Sequence, residues 1–148
     1  MAGTKEVLSP EEQALVDEAV ARASETGYTV APHECFRNAQ TLLMAEVGRR
    51  FSYWEGYLPH PEGAAPHAWL TLNGKIVDLT LQADAAAYGK DFVILFQKMG
   101  YYGGKCIPFQ IVEAYFAQAA STGRYGSVLG LVFLRKEELD SLLDSGHG

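Results

Sequence analysis

The spacing of hydrophobic positions changes near residue 50, from a helical period to an alternating one. Before it, Leu15, Ala19 and Ala23 recur at helical spacing behind Ser9-Pro10-Glu11-Glu12. Ser9 can cap that helix, Pro10 suits its first position and Glu12 closes a capping box. Ser24-Glu25-Thr26-Gly27 reads as its stop. A second helix is predicted to open at or just before Cys35 and run to about Val47, with Gly48 as its C-cap. Cys35, Ala39, Leu42, Leu43 and Val47 share its phase, and Arg37, Gln40 and Glu46 point elsewhere.

Strands follow. Phe51–Leu58 is aromatic and roughly alternating, with Gly56 marking a bend or bulge, and the prolines of 59–66 predict a loop. His67–Leu72 and Lys75–Leu79 flank Asn73-Gly74, a strong hairpin signal. Beyond Thr80 the pattern predicts a helical turn at 83–88, a strand at 92–98 and a turn or glycine-rich bend at 101–104. A helix at 109–120, a strand at 128–134 and a closing helix at 136–143 complete it. The whole is an α+β chain, helices first and then a mostly antiparallel sheet.

At 148 residues, 48% of them hydrophobic, the chain is expected to form one domain over 1–148, flexible at 1–8 and 145–148. Its net charge of −6 and the lack of any Lys/Arg run beyond two residues argue against a nucleic-acid partner. The early polar N-terminus and the absence of a ~20-residue apolar run argue against a signal peptide and a membrane span, so the expected location is cytoplasmic. A Cys35–Cys106 disulfide would be unusual there.

The chemistry lies in a Cys at a helix start, a His opening a strand and an Asp on the paired strand. A hairpin centred on Asn73-Gly74 pairs Leu72 with Lys75 and Leu70 with Val77, placing His67 level with Thr80. Asp78 then faces Trp69, diagonal to His67 on the same side of the sheet and ~7–8 Å away between backbones. The N–H groups and dipole of a helix start favour thiolate over thiol, and the same groups can accept an oxyanion. An imidazole partners the thiolate, and a carboxylate fixes the ring's tautomer.

Glu34-Cys35-Phe36-Arg37-Asn38-Ala39, Tyr53-Trp54-Glu55-Gly56-Tyr57, Pro66-His67-Ala68-Trp69-Leu70 and Ile76-Val77-Asp78-Leu79-Thr80 together resemble the core of the transglutaminase-like superfamily. The resemblance covers about 32–80. It implies a papain-like fold and a Cys35-His67-Asp78 triad, with Trp69 shielding the imidazole pair. Leu79 stands where that family commonly has Pro, and no calcium loop is visible. Tyr28 and Asn38 are the candidate oxyanion side chains.

Each residue also has a plainer reading. Asp78 could cap a turn with Thr80, and Trp54 and Trp69 could be core or pocket-wall aromatics. His33 is the rival base, while His60 lies in a loop and His147 in the tail. Cys106 has no catalytic company and reads as packing. The stretch 101–104 could be a flap bringing Tyr102 to the substrate, though a plain turn suffices. Zinc on Cys35, His67 and Asp78, with His33 or His60, lacks a close ligand pair, so no metal or cofactor is expected.

The expected activity is that of a cysteine protease, amidase or transglutaminase-like acyltransferase, acting on amide or peptide-like substrates through a thioester. A silent binding or inhibitor module using the same groove is the alternative.

Overall fold

The computed structural model describes residues 3–88 and 102–146. Helix α1 (Pro10–Glu25) begins with the expected capping box: Glu12 N donates to Ser9 Oγ at 3.1 Å and Ser9 N to Glu12 Oε1 at 2.7 Å. Its buried stripe is Glu12, Val16, Ala19 and Ala23, with Val16 taking the place expected of Leu15. Glu12 is drawn inward because Lys75 Nζ and Asn73 Nδ2 donate to it at 2.7 and 2.8 Å. The Lys75 bond, helped by Ser9 and Asn73, holds its carboxyl at about 2, well below the usual carboxylate range.

Helix α2 (Cys35–Ala45) is buried on almost every side. It stops two residues before the expected Val47, which is exposed. The Glu46 carboxylate accepts from the amides of Gly48 (2.6 Å), Arg50 and Phe51 (3.2 Å), turning the chain directly into the sheet. Gln40, expected to point away, is fully buried; its Nε2 donates to Tyr53 Oη at 3.1 Å and Gly126 O at 2.8 Å.

The sheet comprises β1 (Phe51–His60), β2 (Gly63–Leu72), β3 (Lys75–Val77), β4 (Tyr102–Ile107) and β5 (Leu134–Arg135). The order is β3-β2-β1-β4, with β5 also on β2, and every pair is antiparallel. Interleaved are α3 (Leu79–Tyr88), α4 (Phe109–Thr122) and α5 (Lys136–Gly146). Ala68, Leu70 and Leu72 of β2 and Phe51 and Tyr53 of β1 pack a core with Val16 and Ala19 of α1 and Ala39, Leu42 and Leu43 of α2. The α+β class expected from the sequence describes this architecture.

The Asn73-Gly74 hairpin forms with the expected register, Leu70 opposite Val77 and Leu72 opposite Lys75. Both turn residues are left-handed, at φ 52° and 77°, as a two-residue turn of this type requires. The pairing ends at Val77, however, so Thr80 lies in α3 rather than level with His67. The helical turn expected at 83–88 is the second half of α3, which starts at Leu79.

The proline-rich 59–66 stretch is strand rather than loop, reduced to a turn at Pro61-Glu62. A residue in an antiparallel strand bonds on one side only, and Pro59 and Pro66 lie past the paired ends of β4 and β3. Gly56 marks a register shift against β4, the bulge its sequence suggests.

Tyr102–Gly104 belongs to β4, not to a turn. The strand expected at 128–134 shrinks to Leu134–Arg135, because buried Glu55 takes up the amides of Val128 and Leu129. The 136–143 helix extends to Gly146. Thr4, expected to be flexible, exchanges backbone hydrogen bonds of 2.8 and 2.7 Å with Gly74 and Ile76. The strand expected at 92–98, Tyr101 and His147 lie outside the described residues.

Candidate active site

His67 and Asp78 meet, although Asp78 lies one residue past β3 and not on a paired strand facing Trp69 as expected. His67 Nε2 lies 2.6 Å from Asp78 Oδ2, both side chains 6% exposed. Asp78 reaches this position by ending the strand and capping α3: its Oδ1 accepts from Leu81 N at 3.1 Å. The plainer reading of Asp78 as a cap therefore holds, with the Leu81 amide rather than Thr80 as its partner. One oxygen holds the helix and the other holds the imidazole.

With Nε2 facing Asp78, Nδ1 is the ring nitrogen not turned to the carboxylate. Burial opposes charge on the ring. The Asp78 charge and hydrogen bond, with the Cys35 side chain, outweigh it and push the imidazole up to about 10.

Cys35 is the first residue of α2, and no side chain caps that end. It is a buried free thiol. Cys35 and His67 line the same cleft of about 410 Å³, with Leu58, Pro59, Ala65 and Leu81 among its apolar walls. That volume falls in the roughly 300–1,000 Å³ range of small-molecule sites.

Trp54 and Trp69, expected as core or pocket-wall aromatics, do not line this cleft; they form a stack behind His67. The His67 and Trp69 rings lie 6.1 Å apart at 18°, and Trp69 and Trp54 lie 6.5 Å apart at 8°. Trp69 is almost wholly buried; Trp54, opposite it on β1, donates to Thr71 Oγ1 at 3.0 Å. His67 is thus wedged between a carboxylate at one edge and an indole along its plane.

Tyr28 and Asn38 are brought together, but as a brace. Asn38 Nδ2 donates to Ala31 O at 2.8 Å and Thr80 Oγ1 at 2.9 Å; its Oδ1 receives Ala31 N at 3.1 Å and the Tyr28 hydroxyl. Both amide hydrogens are engaged, so Asn38 fixes the loop before Cys35 against α3 and has none left for an oxyanion. Burial pushes the Tyr28 phenol up to about 12 against the pull of Arg37, whose guanidinium sits between the Tyr28 and Tyr125 rings. No side chain caps the backbone amides at the start of α2. Tyr102 opens β4 opposite Tyr57.

Of the remaining histidines, His33 has a left-handed backbone (φ 63°) and lines the cleft. Its amide donates to Asp84 Oδ1 at 3.0 Å. His60, expected in a loop, ends β1; its Nδ1 accepts from Glu62 N at 3.1 Å and its ring meets Phe133 edge-on at 5.1 Å. Cys106, expected to pack, is exposed on β4 opposite Trp54. Burial of its sulphur still raises its thiol pKa. Among the described residues no His, Cys, Asp or Glu cluster is placed to hold a metal, and no helix is long and apolar enough to cross a membrane.

Sequence reasoning passed over Asp84 and Glu55. Asp84 is the one charge in the run Leu81–Ala87, and a lone carboxylate on an apolar helix was the available signal. Glu55 was harder to see, because all its partners but the Tyr53 hydroxyl are 72 and more residues away. No family model matches this chain, and no curated protein or solved structure matches it either.

Proposed function

We propose that this chain is a cysteine-nucleophile hydrolase or acyltransferase of transglutaminase-like, papain-like type, acting on amide or peptide-like substrates. The observation that carries the reading is the buried 2.6 Å His67–Asp78 pair, whose imidazole lines one cleft with a thiol at an uncapped helix start.

In the proposed reaction the Cys35 thiolate attacks the amide carbonyl carbon, forming a C–S bond, and the negative charge passes to the oxygen. The first amides of α2 stabilise that oxyanion. Collapse breaks the C–N bond, and protonated His67 gives its proton to the departing amine. Water or an amine then attacks the thioester, its proton passes to His67, and the thiolate leaves. Asp78 holds the ring in register throughout.

The test is the rate of Cys35 alkylation by iodoacetamide from pH 4 to 9, read by mass spectrometry, in wild type and His67→Ala. Fast reaction well below the ~8.5 pKa of a free thiol, lost in the variant, is expected. A rate that rises only near that value in both proteins would sink the enzyme reading and favour a binding module in the same cleft.

A further inference from the structure

Asp84 sits in the wall of the cleft with its side chain only 9% exposed. Its Oδ1 has a clear structural task, receiving the His33 amide at 3.0 Å and so stabilising the left-handed turn before Cys35. Among the described residues its Oδ2 receives no hydrogen bond, and no Lys or Arg pairs with the carboxylate. The His33 ring approaches only to 3.8 Å, beyond hydrogen-bond reach. Leu58, Pro59, Pro61, Ala65, Pro66 and Leu81 line the same cleft, so a carboxylate there gains from a charged donor on a ligand. The turn at His33 accounts for one oxygen, and the residue that carries the other lines the cavity.

We infer that Asp84 is a recognition residue for a primary ammonium on the substrate, held beside the reacting carbonyl. Placement supports this: Asp84 is anchored to the backbone of His33, two peptide units (about 7 Å of chain at most) before the nucleophile. An ammonium bound there lies within a few bonds of a carbonyl on Cys35, as in an acyl donor with an amino group near the scissile bond. The apolar walls then receive the hydrocarbon part of the same acyl group. This inference rests on the proposed function for the identity of the reacting atom, but its test does not.

Cys35 is alkylated with cationic 2-bromoethylammonium and with neutral iodoacetamide, each rate normalised to the same reagent on a free cysteine derivative. In wild type the cationic-to-neutral ratio is expected to be raised roughly tenfold, the scale of one charge-assisted hydrogen bond, and Asp84→Asn is expected to abolish that preference. The asparagine keeps an oxygen for the His33 amide. A wild-type ratio of one overturns the inference. A raised ratio that persists in Asp84→Asn also overturns it and assigns the effect to the net charge of −6.

If both reagents react slowly but the ratio holds, the nucleophile reading fails and the ammonium site stands. Should the variant not fold, protection of wild-type Cys35 by ethylammonium but not by acetamide supports the inference, and equal protection overturns it. A final arm separates donor from acceptor: p-nitrophenyl acetate turnover with added ethylamine is expected to show no saturable acceleration. Acceleration lost in Asp84→Asn would move the ammonium to the acyl acceptor and overturn the donor assignment.

Discussion

Asp78 directs its two oxygens to different partners, and the position of the imidazole follows from that division. The consequence for His67 can be measured without a substrate. Its folded-state pKa is raised to about 10, against about 6.5 for an unperturbed ring. The folded chain therefore binds this proton more tightly than the unfolded chain. The stabilisation is complete below about pH 6.5 and is lost as pH rises through about 10. The urea midpoint of wild type is expected to fall between pH 7 and 10, and that limb should flatten in His67→Gln. An identical slope in both proteins would place the titration elsewhere. His67 and Asp78 were legible in the sequence because the hairpin fixes their spacing locally. Asn38 was misjudged because its partners, Ala31 and Thr80, come from a loop and a helix whose meeting no local pattern encodes.

Among the elements, β5 is only two residues long, yet it brings α5 to the sheet through Gly63 opposite Arg135 and Ala64 opposite Leu134. Gly63 has φ 149°, and a Cβ there would lie 1.9 Å from the Leu134 carbonyl oxygen. Gly63→Ala is expected to cost about 2 kcal/mol and to speed amide exchange at Leu134 and Arg135. Gly74→Ala is the contrast. Nothing lies within 4 Å of that Cβ, so only left-handed strain applies, on the order of 1 kcal/mol. Equal losses by urea denaturation would refute the steric account. Asn73-Gly74 could be read from sequence because two residues define the turn. The strand through Pro59 and Pro66 could not, since whether a missing N–H matters depends on where neighbouring strands end.

Over the whole molecule, Glu55 links distant parts of the chain. It is completely buried on β1 and receives Tyr53 Oη (2.5 Å), Ser127 Oγ (2.6 Å) and the amides of Val128 (2.8 Å) and Leu129 (3.1 Å). Gln40, on the helix that Cys35 opens, joins the same network through Tyr53 Oη and Gly126 O. Glu55→Gln puts donors where acceptors are needed and is expected to cost about 3 kcal/mol in urea denaturation. A loss below about 0.5 kcal/mol would mean water replaces the clamp. Local pattern placed the helices and hairpin. It could not say which loop this carboxylate organises, since that is settled only when the chain closes on itself.

The double use of Asp78 also sets how the molecule would fail under stress. The carboxylate that aligns the imidazole is the first-turn anchor of α3, so fraying of that turn releases His67 from its orientation while the α1/α2 core stays packed. On the proposed chemistry, inactivation then precedes global unfolding. A damaged or half-assembled chain would be chemically inert, instead of an uncontrolled thiol at large among its neighbours.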